Sequence, residues 1–215
     1  MGQIQSNNNI FRKSIVDGLK NCGIQFFVNC IPYPKKLNYG LIIKPLTLDP
    51  MFKEPIRHFF NGYPYHIGVI RNDRIYSFCP DLKNPHRGTL YNDIYNEHIS
   101  DWEDYEIFWF TNVDDYLLIE SRLLDLLSIS KKKLSIDEFN NRYGTKLKLF
   151  YNLLTNNCTD IALSVLIGQS RCFQVEAISN IIYDLSELEQ IKKMLPEYGM
   201  IWLNDFKTNI KGYLK

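Results

Sequence analysis

The chain begins with a polar stretch over residues 1–9, after which apolar residues fall near helical spacing from Ile10 to Cys22. Gly23 is a natural stop for this predicted helix. The apolar, aromatic run Ile24–Ile31 that follows is typical of a strand. Residues 32–64 contain six prolines, which break long elements, so we expect a looped segment wrapped over the surface.

A β-hairpin is the clearest strand signal in the sequence. Tyr65–Ile70 and Arg74–Cys79 both have strand character, and the turn residues Asn72 and Asp73 stand between them. Tyr105–Thr111 predicts a third strand. The intervening segment, residues 80–103, is polar, and we expect a loop that decorates one edge of the sheet.

Three further helices are indicated in the second half of the chain. Leucines at helical spacing predict an amphipathic helix over residues 114–127. A short helix over residues 135–143 follows, with Ser135 as N-cap and Glu138 at the third helical position. Another helical stretch covers residues 186–195.

A helix from Cys158 to Ile167 is the second strong local signal. Asn156 or Asn157 can cap its start, and Gly168 is a natural C-cap. Cys158 therefore stands at the predicted N-terminus of a helix whose other residues are mostly apolar.

Composition adds limits to this outline. The 215 residues fit one domain, and we expect a flexible tail at residues 1–9 and a single domain at residues 10–215. Hydrophobic residues make up 45% of the chain, which suffices for a full core. The net charge of +1 and the lack of a basic stripe do not favour nucleic acid as a partner.

Targeting signals are sparse. No apolar run approaches the ~18 residues that a membrane span needs, and the N-terminus lacks the apolar region of a classical signal peptide. We therefore expect synthesis in the cytoplasm. The start Met1-Gly2-Gln3-Ile4-Gln5-Ser6 fits the myristoylation pattern, which makes a lipid anchor at Gly2 one hypothesis and a polar tail the other.

The five cysteines favour free thiols over a disulfide framework. Their number is odd and their spacing irregular, and there is no CxxC pair or Cys/His cluster at zinc-like spacing. We expect neither a metal nor another cofactor. The cysteines are Cys22, Cys30, Cys79, Cys158 and Cys172.

Cys158 differs from the other cysteines in its surroundings. A helix N-terminus favours a thiolate, and its unpaired N–H groups can hold the oxyanion of a tetrahedral intermediate. The alternative is a thiol buried as a small hydrophobe, which suits Cys30 in its apolar run. Cys158 follows Thr-Asn-Asn and precedes Thr-Asp, so we interpret it as a catalytic nucleophile.

His66 is the candidate base for this thiol. It opens a predicted strand that can hold it in one rotamer, and Gly68, two residues on, leaves space on the same face. Ser77 on the paired strand is the candidate for orienting the imidazole, with Asp81 and Asp104 behind it. The alternatives are a half-buried strand histidine and an ordinary strand hydroxyl.

The order of these motifs resembles the permuted NlpC/P60 papain-like superfamily. His66-Ile-Gly-Val-Ile is similar to its histidine strand, Ser77-Phe-Cys-Pro80 to its polar third position, and Asn157-Cys158-Thr159 to the Asn-Cys-Thr nucleophile motif of some bacterial members. The motifs cover about 16 residues directly and span His66–Gly168 in order. A serine at the third position and the long segment at 80–103 depart from the family pattern.

The resemblance implies an α+β fold in which a small antiparallel sheet packs on the nucleophile helix, with decorations at both ends of the chain. It also implies acyl-transfer chemistry without a cofactor. Cys158 would be the nucleophile, His66 the base and Ser77 the third catalytic residue. Asn157 and Thr159 would hold the oxyanion or support the thiol.

Three functions remain open on the sequence. The first is an amide hydrolase acting on peptidoglycan peptides as a secreted antibacterial effector, with an immunity protein or a secretion chaperone as possible partners. The second is a cysteine acyltransferase or peptidase effector acting on host proteins or lipids. The third is an inactive binding module that keeps the papain-like fold.

Overall fold

A computed structural model describes residues 9–28, 39–46, 62–79, 90–91, 94–111, 116–151 and 156–182. These residues form five α-helices and eight strands. The helices are α1 (Ile10–Asn21), α2 (Tyr116–Ser130), α3 (Ile136–Tyr143), α4 (Cys158–Ile167) and α5 (Phe173–Ile182). The strands are β1 (Phe26–Val28), β2 (Tyr39–Pro45), β3 (Tyr65–Arg71), β4 (Arg74–Phe78), β5 (Leu90–Tyr91), β6 (Ile94–His98), β7 (Glu106–Phe110) and β8 (Phe150–Tyr151).

The described residues group into two compact units. The sheet unit takes its residues from positions 19–44 and 66–172, and the terminal unit from positions 1–18, 45–65 and 173–215. The sheet unit contains all the residues of the candidate site. The prediction of one domain over residues 10–215 stays a prediction.

A six-stranded sheet in the order β1-β7-β2-β3-β4-β6 is the centre of the sheet unit. β1 and β2 both pair antiparallel with β7, and β4 pairs antiparallel with β3 and β6. The β3–β4 hairpin has the predicted two-residue turn, because Arg71 pairs with Arg74 and Asn72 adopts a φ of 55°. The α+β class and the antiparallel sheet are therefore present.

One face of the sheet, here called the helical face, is covered by α2 and α4. Arg71 at the end of β3 forms an ion pair of 2.8 Å with Glu120 of α2. The two helices contact each other, and α4 also contacts β4. Since side chains alternate along a strand, Ile67, Val69 and Phe78 share this face with Arg71.

The opposite face, here called the Trp102 face, packs against Trp102. A buried apolar cluster on this face joins residues of four strands to that indole, and it consists of Ile42, Ile70, Ile75, Ile107, Trp109 and Trp102. Alternation places His66 and Gly68 on the same face as Ile70, and Ser77 on the same face as Ile75.

Two segments that the sequence indicates as loops contain strands of the sheet. β2 lies within the proline-rich segment 32–64, where it is mostly buried and stands between β7 and β3. β6 and Trp102 lie within the polar segment 80–103. Both loop predictions are wrong at these positions, because pairing with distant strands outweighs local proline content and polarity.

The terminal unit is organised by two buried amides. Asn9 caps α1 by accepting a hydrogen bond of 3.0 Å from the backbone N–H of Phe11, so it is not part of the predicted tail. Gln174 of α5 both accepts from and donates to the backbone of Tyr65, at 2.6 and 2.9 Å. The sequence did not predict α5.

Several predictions fall on residues that the structure does not describe. These are the tail at residues 1–8, the acylation signal at Gly2 and the helix at residues 186–195. Within the described helices, none combines the length and the apolar character needed to cross a bilayer.

The helix ends show how local sequence sets the boundaries. Gly23, at a φ of 75°, follows α1 as predicted, and Ser135 with Glu138 forms the predicted capping box of α3. The end of α2 is different. Lys132 and Lys133 donate backbone N–H groups to Ile129 and Ser128, a Schellman motif in which Lys132 takes the left-handed position that usually belongs to glycine.

The close approach of β2 and β7 at Gly40 yields a first prediction. A Cβ added at Gly40 would lie 2.6 Å from the carbonyl oxygen of Phe108, and a backbone atom cannot move without disturbing the ladder. We expect Gly40→Ala to lower the free energy of unfolding by about 1–3 kcal/mol in urea denaturation. Replacing glycine by alanine also lowers the conformational entropy of the unfolded chain, which by itself would stabilise the fold. A neutral or stabilising effect of Gly40→Ala would therefore contradict this close approach.

The left-handed residue at the end of α2 yields a second prediction. Lys132→Gly should raise the free energy of unfolding by about 1 kcal/mol, because glycine lacks the Cβ that makes this conformation costly. Lys131→Gly is the matched control. Lys131 has no positive φ, so glycine there should be destabilising by about 0.5–1 kcal/mol. Equal effects of the two changes would contradict strain at Lys132.

Candidate functional site

Cys158 is the first residue of α4, as the sequence predicts. The side chain of Asn157 accepts hydrogen bonds from the backbone N–H groups of Thr159 and Asp160, at 2.8 and 3.4 Å. Asp160 returns the contact by accepting from the N–H of Asn157 at 3.0 Å, which completes a capping box. The helix ends at Gly168, at a φ of 70°.

The other predicted support residues act on the start of this helix. The amide nitrogen of Asn157 donates to the sulfur of Cys172 at 3.2 Å, so both ends of the side chain are engaged. The N–H of Thr159 donates to Asn157. Asn157 and Thr159 therefore hold the first turn that carries Cys158. A role for either residue in binding an oxyanion stays a prediction.

Asn156 contributes in a way that the sequence did not reveal. Its side chain accepts a hydrogen bond of 3.0 Å from the backbone N–H of Lys148 and donates one of the same length to the carbonyl of Lys148. The carboxamide thereby pairs with one residue's backbone and ties the segment before α4 to the segment after α3. Of the two asparagines that the sequence offers as caps, Asn157 is the N-cap of α4, and Asn156 connects the chain before α4 to Lys148.

His66 lies on β3 with 9% of its surface exposed, and its ring faces the Trp102 side of the sheet. The centroids of the His66 and Trp102 rings are 5.4 Å apart. The Nε2 atom of His66 lies 3.5 Å from the sulfur of Cys79, a hydrogen bond whose direction depends on the tautomer. The imidazole is thus held between an indole and a thiol.

Both members of this pair are held in their neutral forms. Burial, together with the positive charge of Lys44, lowers the pKa of His66 from 6.5 to about 4. Burial raises the pKa of the Cys79 thiol; Glu97 raises it further, while the hydrogen bond to Ser77 and the charge of Lys44 act in the opposite direction. An imidazolium–thiolate ion pair is therefore disfavoured between His66 and Cys79.

Ser77 reaches the imidazole only through Cys79. Its hydroxyl is buried and lies 3.6 Å from the Cys79 sulfur, which in turn contacts His66. The side chain that contacts the imidazole is therefore the thiol of Cys79, and not the hydroxyl of Ser77. Of the two carboxylates considered behind Ser77, Asp104 is exposed, and Asp81 lies outside the described residues.

Cys79 is the residue that the sequence analysis missed. The signal was available in the hairpin: a two-residue turn that pairs Gly68 with Ser77 brings His66 opposite Cys79 two positions further out. The sequence alone predicts no more for Cys79 than a free thiol. The structure describes Cys22, Cys79, Cys158 and Cys172 without a disulfide.

Cys158 and His66 belong to elements on different faces of the sheet. Ile161, one turn beyond Cys158, lines the same cavity as Phe78 on the helical face, whereas His66 projects from the Trp102 face. The described hydrogen bond of the His66 ring goes to Cys79, and the described influences on its pKa are burial and Lys44. The pairing of Cys158 with His66 stays a prediction.

No known protein family, curated protein or solved structure matches this chain. The resemblance to the permuted NlpC/P60 superfamily therefore rests on the motifs alone. In the described part of the chain, no group of three or more His, Cys, Asp or Glu residues could hold a metal ion.

The lowered pKa of His66 yields a third prediction. Between pH 6.5 and about 4 the unfolded chain binds a proton at this residue and the folded chain does not, so stability falls as the pH drops through this window. The full loss is about 3 kcal/mol. We expect His66→Gln to remove this part of the acid sensitivity in urea denaturation at a series of pH values.

The matched control for this measurement is His98→Gln, at an exposed position on β6. This variant keeps His66 and should keep the acid sensitivity that His66 causes. If the wild type and His66→Gln lost stability in parallel between pH 6.5 and 4, a neutral buried His66 would be excluded.

Proposed function

We propose that this protein is a cysteine-dependent amide hydrolase in which Cys158 is the nucleophile and His66 the base. The observation that carries the proposal is the position of Cys158 as the first residue of a well-capped helix. A thiolate there lies in the positive end of the helix dipole. The reaction requires no cofactor.

In the proposed reaction the sulfur of Cys158 attacks the carbonyl carbon of the scissile amide while His66 accepts the thiol proton. His66 then gives this proton to the leaving amine, and water hydrolyses the acyl-enzyme with His66 again as base. The pKa of about 4 keeps His66 neutral at neutral pH but makes it a weak base, so the proposed proton transfer requires that substrate binding raise this pKa. The helix of Cys158 packs on the helical face, whereas His66 projects from the Trp102 face, so this reaction requires a rearrangement larger than the tightening of an existing hydrogen bond.

Cys79 competes with Cys158 for the role of nucleophile, because its sulfur lies 3.5 Å from His66. Its raised pKa opposes that role, since the thiol and not the thiolate is favoured at neutral pH. We assign Cys79 to positioning the imidazole, the task for which the sequence favoured Ser77. A positioning residue should affect the rate less than the nucleophile does.

The substrate proposal follows from the resemblance. Peptidoglycan peptides are the first class to test, and a secreted antibacterial effector is the corresponding biological role. A second function of another class, an inactive binding module, is favoured by one specific observation. Cys158 is only 6% exposed, and the described bond of His66 goes to a different thiol.

Digestion of purified peptidoglycan followed by mass analysis of the products tests the proposal. We expect wild-type protein to release peptides, and Cys158→Ala and His66→Ala each to reduce the rate by about 10²–10⁴-fold. Cys79→Ala should retain more activity than either. Cys22→Ala, which removes a half-buried thiol bonded to Gln169, is the matched control and should equal the wild type.

The outcomes separate the alternatives. Loss of activity in Cys79→Ala with retention in Cys158→Ala would make Cys79 the nucleophile. Identical product profiles for wild type and Cys158→Ala would remove the hydrolase proposal for this substrate. Rapid alkylation of Cys158 by iodoacetamide would support a reactive thiol, and the absence of alkylation in the folded protein would favour the inactive binding module.

A further inference from the structure

A cavity of about 450 Å³ lies on the helical face of the sheet, on the side away from His66. Its wall combines Phe78 of β4 and Ile94 of β6 with Leu126 and Ile129 of α2 and Ile161 of α4. Most of these side chains are buried, so they form an apolar floor in the sheet unit. The volume is in the lower part of the range of small-molecule sites.

The rim of the cavity is charged. Lys132, Lys133 and Lys148 line it and are exposed, and Asp137 is the acidic residue among the described lining residues. The ammonium of Lys148 lies over the ring of Phe150, 5.3 Å from its centroid. An apolar floor below an excess of positive charge is complementary to a molecule with an apolar chain and a negative head.

The backbone at the end of α2 determines where two of these lysines follow the helix. Lys132 adopts the left-handed conformation, at a φ of 57°, and Lys133 completes the same Schellman motif. The two lysines therefore come directly after the helix that supplies Leu126 and Ile129 to the floor.

We infer that this cavity binds a single-chain fatty acid, with the chain on the apolar floor and the carboxylate among Lys132, Lys133 and Lys148. A single chain matches the modest volume, and a carboxylate matches the excess of ammonium groups. Neither Cys158 nor His66 is among the described lining residues. The site is therefore separate from the proposed hydrolase chemistry, and it requires no covalent step.

Isothermal titration of the full chain with octanoate, decanoate and dodecanoate tests the inference. Affinity should rise about fourfold per methylene while the chain still finds apolar surface. Dodecyltrimethylammonium has the same chain with the opposite charge and should bind at least tenfold more weakly than dodecanoate. Higher ionic strength should weaken the binding of dodecanoate.

Two variants test the location of the site. Lys133→Glu combined with Lys148→Glu should weaken dodecanoate binding at least tenfold, and Leu149→Glu, at an exposed lining position, should weaken it in the same direction. Lys146→Glu is the matched control, because Lys146 is exposed and does not line the cavity. It should bind as the wild type does.

Three results would overturn the inference. They are no heat of binding for dodecanoate, equal affinity for the cationic amphiphile, and equal loss in Lys146→Glu and the double variant. Cys158→Ala should bind dodecanoate as tightly as the wild type. Failure of the hydrolase proposal therefore leaves this inference intact, and failure of fatty-acid binding leaves the hydrolase proposal intact.

Discussion

The pairing of β3 with β4 through a two-residue turn determines which side chains share a face of the central sheet. A shift of one residue in this register would send every β4 side chain to the other face. With the observed register, His66 meets Cys79, and Ser77 stands beside the same sulfur. The contacts among His66, Ser77 and Cys79 follow from this one constraint.

Burial gives the Trp102 face its chemical character. The imidazole of His66 lies under an indole and near the positive charge of Lys44, and both influences favour the neutral ring. The adjacent thiol of Cys79 is also favoured in its neutral form. The resting arrangement is therefore a pair of uncharged groups. This is the reason why the proposed function assigns the nucleophile to Cys158 and a positioning role to Cys79.

The helical face differs because it contains a cavity. There α2 and α4 pack together over the sheet and leave an apolar cavity whose rim carries more positive than negative side chains. The end of α2 supplies part of this rim through a strained turn at Lys132. One sheet thus separates the cluster of His66, Ser77 and Cys79 from the cavity.

The sequence by itself determined the features that depend on residues close to one another in the chain. The hairpin turn at Asn72 and Asp73, the start of α4 at Asn157 and its end at Gly168 all result from interactions within a few residues. The place of β2 inside the sheet and the burial of Trp102 were decided only by tertiary structure, because distant strands supply their partners. The thiol that contacts His66 belongs with the local features, since the two-residue turn of the hairpin sets the register that brings Cys79 opposite His66.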